Sequence, residues 1–170
     1  KIDCDATIQS TSDAAGGLVA AAKDITATNV KIRGENSEII ASKNAGGLIG
    51  HIDSGIITIS NVGVSAFVGS SSTEEHAGAG GLIGYIGAPG ADSTISKSYY
   101  GGRTVDGAYA CNIVNESTPY DANINGKRST GGFIGYIGNG NGLAISQCFS
   151  TGSVDTQASP NTNDAYAGGF

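Results

Sequence analysis

The chain has 170 residues, 28 of them glycine, with no Met, no Trp, 14% charged residues and a formal charge of −6. Its 9 Lys and Arg form no cluster, which argues against nucleic acid or an anionic bilayer surface as partner, since both need a concentrated basic patch. The longest apolar run, around Leu18 to Ala22, is far too short for membrane insertion, and nothing at Lys1 looks like a signal peptide.

Taken in order, the chain repeats one phrase. Gly16-Gly17-Leu18-Val19-Ala20 is the loosest copy, followed by Gly46-Gly47-Leu48-Ile49-Gly50-His51-Ile52, Gly80-Gly81-Leu82-Ile83-Gly84-Tyr85-Ile86-Gly87 and Gly131-Gly132-Phe133-Ile134-Gly135-Tyr136-Ile137-Gly138. A fifth copy opens at Gly168-Gly169-Phe170. First glycines at 16, 46, 80, 131 and 168 are spaced as stacked repeats are. A second phrase follows each of the first four copies at a nearly constant distance: Ala27-Thr28-Asn29-Val30, Ile59-Ser60-Asn61-Val62, Ile95-Ser96-Lys97-Ser98 and Ile145-Ser146-Gln147-Cys148. Residues 1–15 read as the tail of a preceding unit, with Cys4 aligned to Val30, Val62, Ser98 and Cys148. A long gap before Gly131 marks an inserted loop near 106–128 that carries Cys111, Pro119 and the Asn-x-Ser/Thr sequon at Asn115. Lacking Met, the chain is expected to be a processed product or an excerpt.

Strand periodicity wins over helix. Thr26, Thr28, Val30 and Ile32 alternate with other residues, Ile57, Ile59 and Val62 lie in a β-branched run, and glycine recurs too often for useful helices. No single unit closes a core, so the expectation is an all-β fold: a right-handed parallel β-helix or solenoid of about four to five layers, one array over 1–170. Leu18, Leu48, Leu82 and Phe133 form one expected interior ladder, with Ile59, Ile95 and Ile145 also in the repeat core. Val19, Ile49, Ile83 and Ile134 face the other way on the same strand. Gly50, Gly84 and Gly135 serve either positive φ at a corner or close backbone approach.

The two phrases together, above all Cys148-Phe149-Ser150-Thr151-Gly152-Ser153-Val154 after Gly131-Gly132-Phe133-Ile134-Gly135, resemble the GLUG repeat of large bacterial surface and adhesin-like proteins, found also in IgA-protease-type metallopeptidases. The resemblance covers nearly the whole chain outside 106–128 and implies a parallel β-solenoid, an extracellular or cell-surface location and a stalk or adhesin role. It carries over no catalytic residue.

Candidate chemistry is sparse. Cys4 and Cys148 read as buried small hydrophobes, and Cys111 as a lone thiol with a bond to another chain as the lesser reading. His51 shares a slot with Tyr85 and Tyr136, and His76 lies in an acidic loop. Asp53-Ser54-Gly55, residues 87–92 and residues 138–142 are turns, with calcium binding the alternative. Tyr85, Tyr99, Tyr100, Tyr136 and Phe149 make either stacking ladders or an exposed sugar-binding stripe. Ice binding needs a regular Thr ladder, and Thr26 and Thr28 find only Thr58 and Ser60 nearby. No enzyme activity, metal or cofactor is expected. The expected role is a structural or adhesive rod, with a carbohydrate-binding or carbohydrate-active β-helix as alternative. Its expected partners are neighbouring repeats, copies of itself end to end, or cell-surface glycans.

Overall fold

Ile57-Thr58-Ile59-Ser60 alternates apolar with hydroxyl, and its burial alternates in step, the two Ile buried and the hydroxyls half-buried. That is a strand with one face on a core. The same phrase builds Ile25–Thr28, Ser93–Ser96 and Leu143–Ser146, and the four pair in parallel as one sheet, here the hydroxyl sheet. The computed structural model describes residues 2–3, 6–72, 74, 76–101, 104–105, 108–109, 123–126, 129–139, 141–151, 153–156 and 166–170.

Three more sheets are built the same way. The glycine sheet stacks Ala14–Gly16, Asn44–Gly46, Gly78–Gly80, Ser129–Gly131 and Tyr166–Gly168. Past the Gly-Gly bend, Val19–Ala22, Ile49–Gly55, Ile83–Pro89 and Ile134–Ile137 form the aromatic sheet. The long sheet contains Lys31–Ala41 and Gly63–Ser70, with Ile2–Asp3 and Thr7–Ser10 on one side and Tyr99–Tyr100 and Asn123–Gly126 on the other. Phe149–Ser150 and Ser153–Thr156 complete it. Each turn of the chain visits the four sheets once, so successive repeats lie on one another as layers of a parallel β-solenoid.

Main-chain bonds run lengthwise between equivalent positions. The Leu18 amide donates to Leu48 O at 3.0 Å, Leu48 to Leu82 O at 2.8 Å, and Leu82 to Phe133 O at 2.8 Å. Between the sheets lies one apolar core that includes Ile49, Ile52, Ile59, Val64, Leu82, Ile83, Ile95 and Phe133. Leu48, Leu82, Phe133, Ile59 and Ile95 are fully buried, and Ile145, on an outer strand, is partly buried. Leu18 departs from the expected interior ladder: it is 43% exposed, because its strands β-pair on one side only, toward the layer of Leu48.

Two alignments read from sequence are corrected by register. Ile2 pairs with Ile32 and Asp3 with Arg33, so Ile2 does not sit in the slot of Thr28 that the sequence alignment assigned to it. The physical reason is that Ile2 takes the apolar long-strand position rather than the Ser/Thr slot. The insertion also ends earlier than expected. Asn123–Gly126, inside the span near 106–128, is a rung of the long sheet, with Ile124 opposite Val68 and Val154. The rung after Gly63–Ser70 is thus supplied in two pieces, Tyr99–Tyr100 and Asn123–Gly126. Between them in the chain Thr104–Val105 pairs antiparallel with Ala108–Tyr109.

The glycine question resolves in favour of close approach. A Cβ on Gly50 would meet Ala15 O at 2.6 Å and Ala20 O at 2.7 Å, and one on Gly84 would meet Ala45 O and Gly50 O, both at 2.6 Å. Positive φ falls elsewhere, among other places on the residue after the Ser or Thr of the second phrase. Asn29 (58°), Asn61 (54°), Lys97 (49°) and Gln147 (54°) all turn the corner left-handed. Asn tolerates that region and long side chains do not. Lys97→Asn is therefore expected to stabilise the chain by about 1 kcal/mol, read as a higher urea midpoint, and an unchanged or lower midpoint would refute the corner assignment. It would also extend a ladder already begun, in which Asn61 Nδ2 donates to Asn29 Oδ1 at 2.6 Å.

Candidate interaction faces

The aromatic sheet carries an outward rank in which Ala21, His51, Tyr85 and Tyr136 follow one another in register. Tyr85 and Tyr136 stack with planes 3° apart and centroids 5.6 Å apart. His51 meets Tyr85 edge-on at 4.7 Å, and His76, from the loop beyond Ser72, meets Tyr136 at 4.9 Å. The ring faces are taken up by one another, leaving edges rather than a flat platform toward solvent. Of the two readings of these tyrosines, ladder packing is the one this geometry carries.

His51 is held from both sides. Asn44, buried, accepts the Gly78 amide on Oδ1 at 3.1 Å, which turns its Nδ2 toward His51 Nδ1 at 3.3 Å. Since Nδ1 is then the acceptor, Nε2–H donates to Asp53 Oδ1 at 2.8 Å. A histidine and carboxylate of one turn are thus tied to the next layer's backbone, with the Asn amide as the link. Asn44→Ala would leave the buried Gly78 N–H unpaired, and a loss of about 1–3 kcal/mol is expected in chemical denaturation. A change under half the lower bound would refute that role.

A second aromatic rank lies on the long sheet, where Lys31, Gly63, Tyr99 and Phe149 are in register. Tyr99 and Phe149 stack at 5.2 Å and 3°. Tyr99 lies across Gly63, where an added Cβ would fall 2.3 Å from its ring, and so reaches Lys31, whose Nζ sits 4.7 Å from the Tyr99 centroid. Burial pushes the Lys31 ammonium pKa down. Tyr100 does not belong to either rank: it points inward, fully buried, and its hydroxyl donates to Ala66 O at 2.7 Å.

The hydroxyl sheet shows what reading the sequence locally misses. Its outward side presents two straight ranks, Thr26, Thr58, Thr94 and Ala144 in one, and Thr28, Ser60, Ser96 and Ser146 in the other. Ser96 Oγ donates to Ser60 Oγ at 3.3 Å. Seven of these eight positions carry a hydroxyl and none carries a charge. The signal lay in the recurring Thr-Ile-Ser phrase, whose alignment already sets Thr94 on Thr58 and Ser96 on Ser60.

The turns are satisfied by groups of the chain, some of them from the neighbouring layer. Asp24 Oδ1 accepts the Ile56 amide at 2.8 Å, Gly55 turns at φ 115°, the Gly90 amide donates to Gly55 O at 2.7 Å, and Asn139 Oδ1 accepts the Asn141 amide at 3.2 Å. Among the described residues no three His, Cys, Asp or Glu side chains gather as metal ligands would. Cys148 is half-buried, with Sγ 3.2 Å from Ser146 O and 3.7 Å from Ile95 O, and burial pushes its thiol pKa up. Cys4, Cys111 and Asn115 lie outside the described residues.

The chain is by its fold a parallel β-solenoid, with stacked aromatic ranks on two sides and a hydroxyl grid on a third. Comparison with family models, with curated proteins and with solved structures gives no match. The likeness to the GLUG repeat therefore rests on the residues quoted for it.

Proposed function

We propose that this chain is a structural or adhesive segment of an extracellular surface protein or filament, a stiff rod acting without catalysis. One observation carries this reading: the lengthwise main-chain bonding of Leu18, Leu48, Leu82 and Phe133, repeated in register by all four sheets. Such a stack resists bending because each layer is bonded to its neighbours through backbone as well as side chains. The GLUG-like phrases support a place on a cell surface. Neighbouring repeats or further copies fit as end partners, since each layer bonds through its main chain to the layer beside it. Cell-surface glycans fit the hydroxyl grid, whose uncharged donors and acceptors match theirs.

The experiment is surface labelling of intact, unpermeabilised cells with antibody to this chain, combined with electron microscopy of the native protein. Labelled cells and straight rods are expected. Label seen only after permeabilisation, or globular particles, would overturn the proposal. A glycan panel separates the roles: binding without cleavage fits an adhesive rod, and cleavage establishes the carbohydrate-active alternative.

A further inference from the structure

We propose that Asn141 is a site of spontaneous main-chain modification, passing through a cyclic imide to aspartate and isoaspartate, and that the fold confines this chemistry to that position. The sequence contains three Asn-Gly steps, Asn125-Gly126, Asn139-Gly140 and Asn141-Gly142. Each is chemically competent, because glycine has no Cβ to hinder its own amide nitrogen. In the reaction the Gly142 nitrogen attacks Asn141 Cγ. A nitrogen–carbon bond forms, the Cγ–Nδ2 bond breaks and ammonia leaves. Water then opens the imide at one or other carbonyl, giving aspartate or isoaspartate with no change of oxidation state.

The structure separates three steps that the sequence presents as equals. Asn141 and Gly142 are both exposed, in the turn between Ile134–Ile137 and Leu143–Ser146, and Gly142 stands at φ 91°. Asn125, by contrast, lies within a strand paired on both sides, opposite Gly69 and Asp155, and Gly126 pairs with Thr156. That backbone reaches the imide geometry only when the strand opens locally. Asn139 is exposed as well but restrained at two points: its amide donates to Gly87 O at 2.8 Å, and the Asn141 amide donated to its Oδ1 holds the side chain in one rotamer.

The product has a structural consequence. Isoaspartate adds a methylene to the main chain and a carboxylate beside it, where an added Cβ on Gly142 would already meet Gly90 O of the neighbouring layer at 2.8 Å. Leu143–Ser146, an outer strand of the hydroxyl sheet, begins at the next residue. Its amides should lose hydrogen-exchange protection in the modified chain while Ser93–Ser96 keeps its own.

The test is storage of the full chain at mildly alkaline pH, followed by peptide mapping with fragmentation that assigns the modified residue and detects isoaspartate. Asn141 should convert about tenfold or more faster than Asn125 in the folded chain, and storage in urea should bring Asn125 up to the same rate. An intact Asn141, an Asn125 that keeps pace while folded, or modification falling on Asn139 would each overturn the proposal. The variant Asn141→Gln should remove the isoaspartate signal from this turn; persistence of that signal would also overturn it.

Discussion

Gly84→Ala should cost about 3 kcal/mol or more, a large effect for one methyl group. Its Cβ would lie 2.6 Å from the carbonyl oxygens of both Ala45 and Gly50. Those atoms are backbone in strands bonded to their neighbours, so no side chain can rotate away, and relief requires prising layers apart. Gly135→Ala should behave alike, with Gly84 O at 2.5 Å and Ala79 O at 2.7 Å. Ala20→Gly, at the same slot of the outermost layer, should cost no more than about 1 kcal/mol, because Ala20 is exposed and only backbone freedom changes. Urea denaturation of the three variants checks the set. Equal losses at Ala20 and Gly84 would show that the slot constrains conformation rather than proximity.

Tyr100→Ala should destabilise by about 3–5 kcal/mol, the usual cost of emptying a buried aromatic site. Gly81 makes this site possible: a Cβ there would fall 2.2 Å from the Tyr100 ring. Tyr100→Phe isolates the hydroxyl, which donates to Ala66 O, and should cost about 1–2 kcal/mol. Burial raises the Tyr100 phenol pKa well above that of free tyrosine. A group whose folded pKa is raised contributes stability that is complete below its unfolded pKa, about 10, and drains away as pH climbs beyond it. Stability of the parent chain should therefore fall above about pH 10 more steeply than that of Tyr100→Phe. Parallel alkaline slopes for the two would refute the assignment.

Much of this fold is written plainly in the residues. The spacing of Gly-Gly-Φ-Φ-Gly, the recurring Ile-Ser phrase and the β-branched runs require short strands, and a unit too small to close a core requires stacking. Those features are local or periodic, so they survive without coordinates. The pairing of Leu48 with Leu82 follows from them directly. Candidate faces were less legible. Ranking Tyr85 with Tyr136 needed only the repeat, but Tyr99 and Tyr100 are adjacent and equivalent in composition, and only the strand's orientation sends one outward and the other into the core.

Sequence alone determined that equivalent residues would be neighbours, because a repeated apolar pattern can be buried in only one way when no unit buries itself. Tertiary structure decided register at the irregular places, where insertions leave periodicity silent. It paired Ile2 with Ile32 and returned Asn123–Gly126 to the long sheet. It also decided which glycines are there for space: the distance from Gly84 to a carbonyl one layer's worth of chain away depends on backbone packing that no local pattern encodes.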